Sequence, residues 1–237
     1  MIRTVVFDLG GVLLDWDPRY LYRDLFKNDE RMEHFLGTVC APAWNHTLDL
    51  GRSWSDARQE AVERYPEYTE YIDMYWDRWL DMFSGPIHET VDLLMYLKRK
   101  KIPVLALSNW NDVKFQVALE EFPFLRLFDG RIVSGEVRLA KPDPAIYHML
   151  LDTYKLNPRE TFFVDDRLEN VEAARNLGIE AVQFTSPAPL EKDLANHGLI
   201  PEAEAGAGGG CSNHSHDHDH DHDEQAGCGG GGSCHGR

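Results

Sequence analysis

The chain opens on a short β-branched and aromatic run, IRTVVFDL (2–9), that stops at an aspartate and two glycines. The runs IPVLALSN (102–109), TFFVDD (161–166) and EAVQF (180–184) repeat that form, and RIVSG (131–135) is a weaker member of the set. Continuous apolar runs of this length suit strands buried on both faces of a parallel sheet. Between them the apolar residues fall at helical spacing. Ile87, Val91, Leu94 and Leu97 share one helical face ahead of the run at 102–109. Asp143 followed by Pro144 reads as a helix start, a capping side chain and then proline at the first helical position. Leu168, Val171 and Ala174 lead to Gly178, which suits a helix stop. Alternation of strand and helix predicts an α/β fold with a doubly wound parallel sheet.

Two stretches break the alternation. Residues 18–85 are rich in Trp and Tyr, charged and helix-periodic, with no strand-like run. They read as a helical insertion after the first strand. Residues 201–237 are Gly, Ala, His and Asp of low complexity, a composition that builds no core and predicts a disordered tail. The expected organisation is therefore an α/β core from 1–17 and 86–200, a helical unit from 18–85, and the tail.

Composition narrows the function. The chain has 237 residues, 43% apolar and 27% charged, enough for a sizeable core in one or two domains. Its formal net charge is −16. Seven acids and one arginine from Pro201 onward hold −6 of it, which leaves −10 on residues 1–200. Such a body repels nucleic acid and anionic membrane, so neither is an expected partner. It also repels phosphorylated substrates at long range, so an anion site needs local positive charge or a metal. No apolar run approaches the roughly 18 residues of a membrane span. The start lacks the apolar stretch and cleavage site of a secretory signal. Cys40 lies in the body and Cys211, Cys228 and Cys234 lie in the tail, which gives no disulfide framework. A cytoplasmic protein is expected. Tyr68, Tyr71, Tyr75, Trp76 and Trp79 would suit a core, a substrate wall or a dimer surface, so no oligomeric state follows; core is the commonest fate.

Each polar cluster follows the carboxyl end of an expected strand, where open parallel sheets bind ligands. Asp8 ends the first, Ser108 and Asn109 the second, Lys141 follows the weak strand, and Asp165 with Asp166 ends the fourth. Singly, each has a plainer reading: Lys141 as a solvated lysine, Ser108-Asn109 as a helix cap before Asp112. Together they suit phosphoryl transfer through a covalent aspartyl intermediate. A carboxylate needs no base to be a nucleophile at neutral pH, but it is repelled by phosphate. Mg²⁺ on Asp8 and Asp166 would offset that repulsion, Lys141 would add charge, and Ser108 with backbone N–H groups would hold phosphate oxygens.

Four motifs stand in order: FDLGGVLLDWD (7–17), LALSNWN (105–111), KPDPAIY (141–147) and FFVDDRLENVEAARNLG (162–178). On these the chain resembles the haloacid dehalogenase superfamily over residues 2–200, in the branch with a helical cap after the first strand. The resemblance implies a Rossmann-like core and a phosphatase acting on a small phosphorylated substrate. It makes Asp8 the nucleophile, Asp8, Gly10 (by its carbonyl) and Asp166 the Mg²⁺ ligands, Ser108, Asn109 and Lys141 the phosphate contacts, and Asp165 an accessory acid. The segment WNHTLDLGRSWS (44–55) is similar to the substrate-facing part of such caps, with cap packing the equal alternative for Trp44 and His46.

One position departs from the pattern. Most family phosphatases carry a second Asp two residues after the nucleophile, which protonates the leaving group and then activates water. Here that residue is Gly10. The family's glucose-1-phosphate phosphatases look similar at this DLG and in the following Asp15-Trp16-Asp17. General acid catalysis contributes about 10²–10⁴-fold. Its loss predicts a preference for good leaving groups, such as sugar 1-phosphates, and slow release of phosphate from the enzyme. Asp15 and Asp17 are expected to shape the turn rather than replace the acid.

A haloacid dehalogenase proper is the rival reading, since those enzymes also lack the second Asp. They work without metal and carry neutral residues where Asp165 and Asp166 stand. Bare carboxylates beside a nucleophilic Asp8 repel one another without a cation, which favours the metal-dependent reading. A catalytically weak binding protein is the third. In the tail, His214, His216, His218, His220 and His222 alternate with acids and are flanked by cysteines. Imidazole and thiolate suit Zn²⁺, Ni²⁺, Cu or Co²⁺.

Overall fold

The computed structural model describes residues 1–201. Its strands are β1 (Thr4–Phe7), β2 (Leu14–Trp16), β3 (Phe83–Pro86), β4 (Val104–Ser108), β5 (Gly130–Val133), β6 (Thr161–Asp165) and β7 (Glu180–Gln183). Five form one parallel sheet in the order β5-β4-β1-β6-β7. The strands β1, β4 and β6 are buried along their whole length, which is why they read as unbroken apolar runs.

Alternate residues feed two apolar layers. Val5, Phe7, Val104, Ala106, Phe162 and Val164 point to one face, where the helices His88–Arg99, Asp112–Glu121 and Pro187–Asn196 bury Leu94, Leu97, Phe115 and Leu194. Val6, Leu105, Leu107 and Phe163 point to the other, against Ile146, Tyr147 and Leu150 of Pro144–Tyr154 and Val171 and Ala174 of Leu168–Asn176. The α/β doubly wound, Rossmann-like expectation holds. The Asp143 carboxylate caps its helix by accepting from Ala145 N–H at 2.8 Å, and Gly178 adopts φ +79 after the helix ending at Asn176.

Between β2 and β3 the chain is helical, with α-helices at Pro18–Tyr22, Asp29–His34, Pro42–Asp49, Trp54–Arg64 and Thr69–Asp77. Rings bind them together: Tyr22 against Phe35 at 4.9 Å and Phe26 against Tyr71 at 4.4 Å between centroids. Trp79 then meets Trp110 at 5.5 Å and ties these helices to the loop after β4.

One expectation needs correcting. Residues 18–85 are not free of strand, because Phe83–Pro86 pairs antiparallel with Leu14–Trp16. The pair is short, contains Ser84 and Gly85 and shifts register between Asp15 and Trp16, so no alternating run announces it. It joins the points where the chain leaves the sheet and returns to it. Among the described residues no helix is long and apolar enough to cross a membrane. The tail histidines 214–222 lie outside the described residues.

Candidate active site

Asp8, Ser108, Lys141, Asp165 and Asp166 lie at the carboxyl ends of β1, β4 and β6 or in the loop after β5, as their strand positions require. Lys141 is the centre of the cluster. It is 2% exposed; its ammonium donates to Leu107 O at 2.8 Å and to Asp165 Oδ2 at 2.6 Å, and it forms an ion pair with Asp8 Oδ1 at 2.9 Å. The solvated-lysine reading is therefore overturned. Two of its three ammonium protons have hydrogen-bond acceptors in the protein, and its charge lies against both Asp8 and Asp165. Burial disfavours its charge, but Asp165 and Asp8 outweigh burial and hold its pKa above the ordinary lysine value.

Asp8 accepts from Leu9 N–H at 2.7 Å through Oδ1, the oxygen that also meets Lys141. That leaves Oδ2 without a protein hydrogen bond among the described residues. Burial raises the Asp8 pKa, Lys141 opposes this, and Asp165 and Asp166 add to it. Asp165 is wholly buried and saturated: Oδ1 accepts from Arg167 N–H at 2.9 Å and Asn170 Nδ2 at 2.8 Å, and Oδ2 from Lys141. Asp166 is partly exposed, and burial followed by the Asp165 charge raises its pKa.

One carboxylate oxygen from each of Asp8, Asp165 and Asp166 lies within 4.8 Å of the others. Three carboxylates and one ammonium sum to −2, the charge a divalent cation cancels. Asn170 Oδ1 beside them is buried without a partner. An all-oxygen, anionic donor set of this kind fits a hard cation such as Mg²⁺.

Two glycines shape this edge differently. Gly11 has φ +72, and a Cβ built there would come within 2.6 Å of Asp166 Oδ2, so only glycine lets that carboxylate lie over the turn. A Cβ at Gly10 would meet nothing within 4 Å, so the position expected to hold the second Asp has room for a side chain it lacks.

Ser108 is 2% exposed and its hydroxyl makes no protein hydrogen bond among the described residues. Asn109 is committed elsewhere: its Nδ2 donates to Lys141 O at 2.9 Å and its Oδ1 accepts from Lys141 N–H at 2.8 Å. It fixes the Lys141 loop. Neither residue caps the next helix, because Asn111 does, accepting from Val113 and Lys114 N–H groups at 3.1 Å. Asp17 caps the helix Pro18–Tyr22, and Asp15 accepts from the Tyr20 hydroxyl at 2.9 Å. Both act as turn and cap residues.

These groups open into a cavity of about 470 Å³ that Asp8, Gly10, Ser108, Asn109, Lys141 and Asp166 line from the sheet side. The helices between β2 and β3 supply the facing wall with Asn45, His46, Asp49, Tyr75 and Trp79. Of the segment expected to face substrate, Asn45, His46 and Asp49 line the cavity. Trp44 instead packs on Trp54 and Tyr75 and donates to Ala57 O at 3.2 Å. Arg19, Glu33, Arg167 and Asn170 also line the cavity and carried no sequence signal strong enough to single them out.

A doubly wound sheet whose carboxyl edge gathers a buried aspartate, a buried lysine and an acid pair defines an α/β protein with a candidate cation-assisted active site. Residues 2–178 match the haloacid dehalogenase-like hydrolase family, and the chain belongs to it. It is 26% identical over 205 residues to a D-ribitol-5-phosphate phosphatase of Bacteroides thetaiotaomicron, covering 82% of this chain and 97% of that protein. It is 30% identical over 198 residues to an (S)-2-haloacid dehalogenase 4A of Burkholderia cepacia, covering 77% and 83%. The chain spans 36% of the length of a drimenol cyclase of Aspergillus calidoustus, to which it is 25% identical over 204 residues, 83% of this chain. Among solved structures, a haloacid dehalogenase family enzyme of B. thetaiotaomicron in complex with magnesium and inorganic phosphate is similar at TM-score 0.59 and 26% identity, covering 78% of this chain and 96% of that one.

Proposed function

We propose that this protein is a Mg²⁺-dependent phosphatase that hydrolyses a small phosphorylated metabolite through an aspartyl phosphate on Asp8. The observation that carries this reading is the convergence of three carboxylates on one ammonium, with a net charge of −2. Asp8, the Gly10 carbonyl and Asp166 would hold the ion, which would offset the charge of substrate phosphate and nucleophile together.

The protein groups divide the remaining work. Asp8 Oδ2 attacks phosphorus while Leu9 N–H and Lys141 hold Oδ1 and fix the carboxylate plane. Ser108 Oγ, free of protein partners, donates to a phosphoryl oxygen. Lys141 cancels part of the charge that accumulates, and Asn109 holds its backbone. Asp165 and Asn170 keep Lys141 and the β6 turn in place. Residues 18–85 serve as a cap over a core of 1–17 and 86–200. The cavity of about 470 Å³ falls within the size of small-molecule sites. The relatives named for phosphatase activity and the magnesium–phosphate complex of the similar structure support the same reading.

Dehalogenation is the second reading, favoured by the similarity to the B. cepacia enzyme. The acid pair weighs against it, because a metal-free site gains nothing from two further carboxylates beside the nucleophile. Phosphate release from sugar, aryl and alkyl phosphates, set against halide release from 2-chloropropionate, decides between the two. Halide release without phosphate release would overturn the phosphatase reading.

A cytoplasmic location belongs to this reading. The tail histidines 214, 216, 218, 220 and 222 are proposed to bind Zn²⁺, Ni²⁺, Cu or Co²⁺ apart from catalysis. Removal of residues 201–237 should abolish Ni²⁺ retention and leave phosphatase turnover intact; lost turnover would refute that separation.

A further inference from the structure

The leaving group needs a proton that Gly10 cannot give, and the helical wall of the cavity carries two carboxylic acids with no role in the scheme above: Glu33, which is ion-paired with Arg19, and Asp49, which has no ion-pair partner among the described residues. Asp49 ends the helix Pro42–Asp49 and lines the same cavity as Asp8 and Gly10. We propose that Asp49 is the general acid–base of this site, giving a proton from Oδ1 to the leaving oxygen and later taking one from the attacking water. The inference rests on the phosphatase reading.

The surroundings of Asp49 are built rather than accidental. The Tyr75 hydroxyl donates to Asn45 Oδ1 at 3.0 Å, which turns the Asn45 amide so that Nδ2 donates to Asp49 Oδ2 at 3.0 Å. With Oδ2 occupied as an acceptor, the carboxyl proton belongs on Oδ1, which has no protein partner among the described residues. The helix end is fastened to the sheet domain by Ser134 Oγ donating to Asp49 O at 2.6 Å and Asn111 Nδ2 donating to Leu48 O at 3.0 Å. Those two bonds tie the helix end that carries Asp49 to the domain that carries Asp8, and both residues line the same cavity.

The same surroundings favour a protonated resting state. Burial and then the charge of Asp8 push the Asp49 pKa up to about 8, against a weaker opposing pull from Arg167. A carboxylate at a helix C-terminus also meets the negative end of the helix dipole. The proton count closes over a cycle. In the first step the Asp8 Oδ2–P bond forms, the P–O bond to the leaving group breaks, and the Oδ1 proton goes to the departing oxygen. In the second, Asp49 takes a proton from water, water oxygen bonds to phosphorus, the Asp8–P bond breaks, and Asp49 is again neutral.

The test uses the full chain with Mg²⁺ and a series of p-nitrophenyl, phenyl and alkyl phosphates, whose leaving groups are increasingly basic. Asp49→Asn keeps the shape and the Asn45 contact but carries no acid. Its kcat/KM should fall roughly 10²–10⁴-fold on alkyl phosphates and less than about tenfold on p-nitrophenyl phosphate. It should also release one equivalent of p-nitrophenolate in a burst before a slow steady state, since hydrolysis of the aspartyl phosphate has lost its base. Adding Gly10→Asp to Asp49→Asn, at the position with room for a side chain, should restore alkyl phosphate turnover. A loss equal across the series without a burst, a change in KM alone, or no loss at all overturns the assignment while the phosphatase reading stands. Absence of Mg²⁺-dependent turnover by the wild type overturns both.

Discussion

The two walls of the cavity are built on different principles. On the sheet side, Asp8, Lys141 and Asp165 interlock through bonds of 2.6–2.9 Å, all buried, and each is placed by the end of a strand. On the helical side, Asn45, His46, Asp49 and Tyr75 sit on helices bound mainly by ring packing, and they reach the sheet domain through a few hydrogen bonds between residues 63 and 85 positions apart. The sheet side is a charge device that suits any phosphoryl group. The helical side is where the rest of the substrate must lie. On the proposed reading, phosphate chemistry and leaving-group chemistry fall to separable parts of this molecule, and each should break without the other.

The largest effect is expected on the sheet side. Lys141→Met leaves Asp8 and Asp165 buried without their cation, and breaking a buried pair in this way costs about 3–5 kcal/mol. Urea unfolding should show that loss together with the disappearance of turnover. A variant as stable as the wild type would mean that the carboxylates are not ionised together in the folded protein.

Gly11→Ala is next. The added methyl must displace Asp166, so Mg²⁺ affinity should fall roughly 10–100-fold, as for other changes that misplace a metal ligand. Titration of activity with Mg²⁺ reads this directly. An unchanged Mg²⁺ midpoint would remove Asp166 from the ligand set.

The third effect lies on the helical side and concerns how stability changes with pH. Asp49 has its folded pKa raised from 3.8 to about 8, so the folded state binds the proton more tightly than the unfolded chain does. Its contribution is present at low pH and is lost as pH rises from about 4 toward 8. Asp49→Asn has no such loss. Its melting temperature relative to wild type should therefore rise between pH 5 and pH 8 in Mg²⁺-free buffer. A constant difference would show that Asp49 is ionised throughout.

These two walls also differ in how readable they are from sequence. Asp8, Ser108, Lys141, Asp165 and Asp166 could be gathered on paper because apolar runs mark the strands and the polar residue ending each run faces the same edge. The readable part stopped at roles that depend on individual atoms. That Asn109 spends both amide atoms on the Lys141 backbone, and that Lys141 donates to Leu107 O, follows from loop geometry that spacing does not encode. On the helical side the stretch 44–55 holds both His46, which lines the cavity, and Trp44, which packs on Tyr75 and does not line it. Which of two neighbouring helical residues faces substrate depends on how the helix docks, and that is set by Ser134 and Asn111 far along the chain. Asp49 was unreadable for the same reason. The β2–β3 pair was missed because its short strands are held by tertiary position rather than by an alternating pattern.

The central claim is that Asp8 and a divalent cation together hydrolyse a phosphate ester. It is tested most directly by measuring phosphate release from p-nitrophenyl phosphate and sugar phosphates, with Mg²⁺ and with EDTA, for wild type and Asp8→Asn in parallel. The account predicts turnover by the wild type in Mg²⁺ alone, with none in EDTA and none from the variant. Turnover that persists in EDTA or in Asp8→Asn would contradict it.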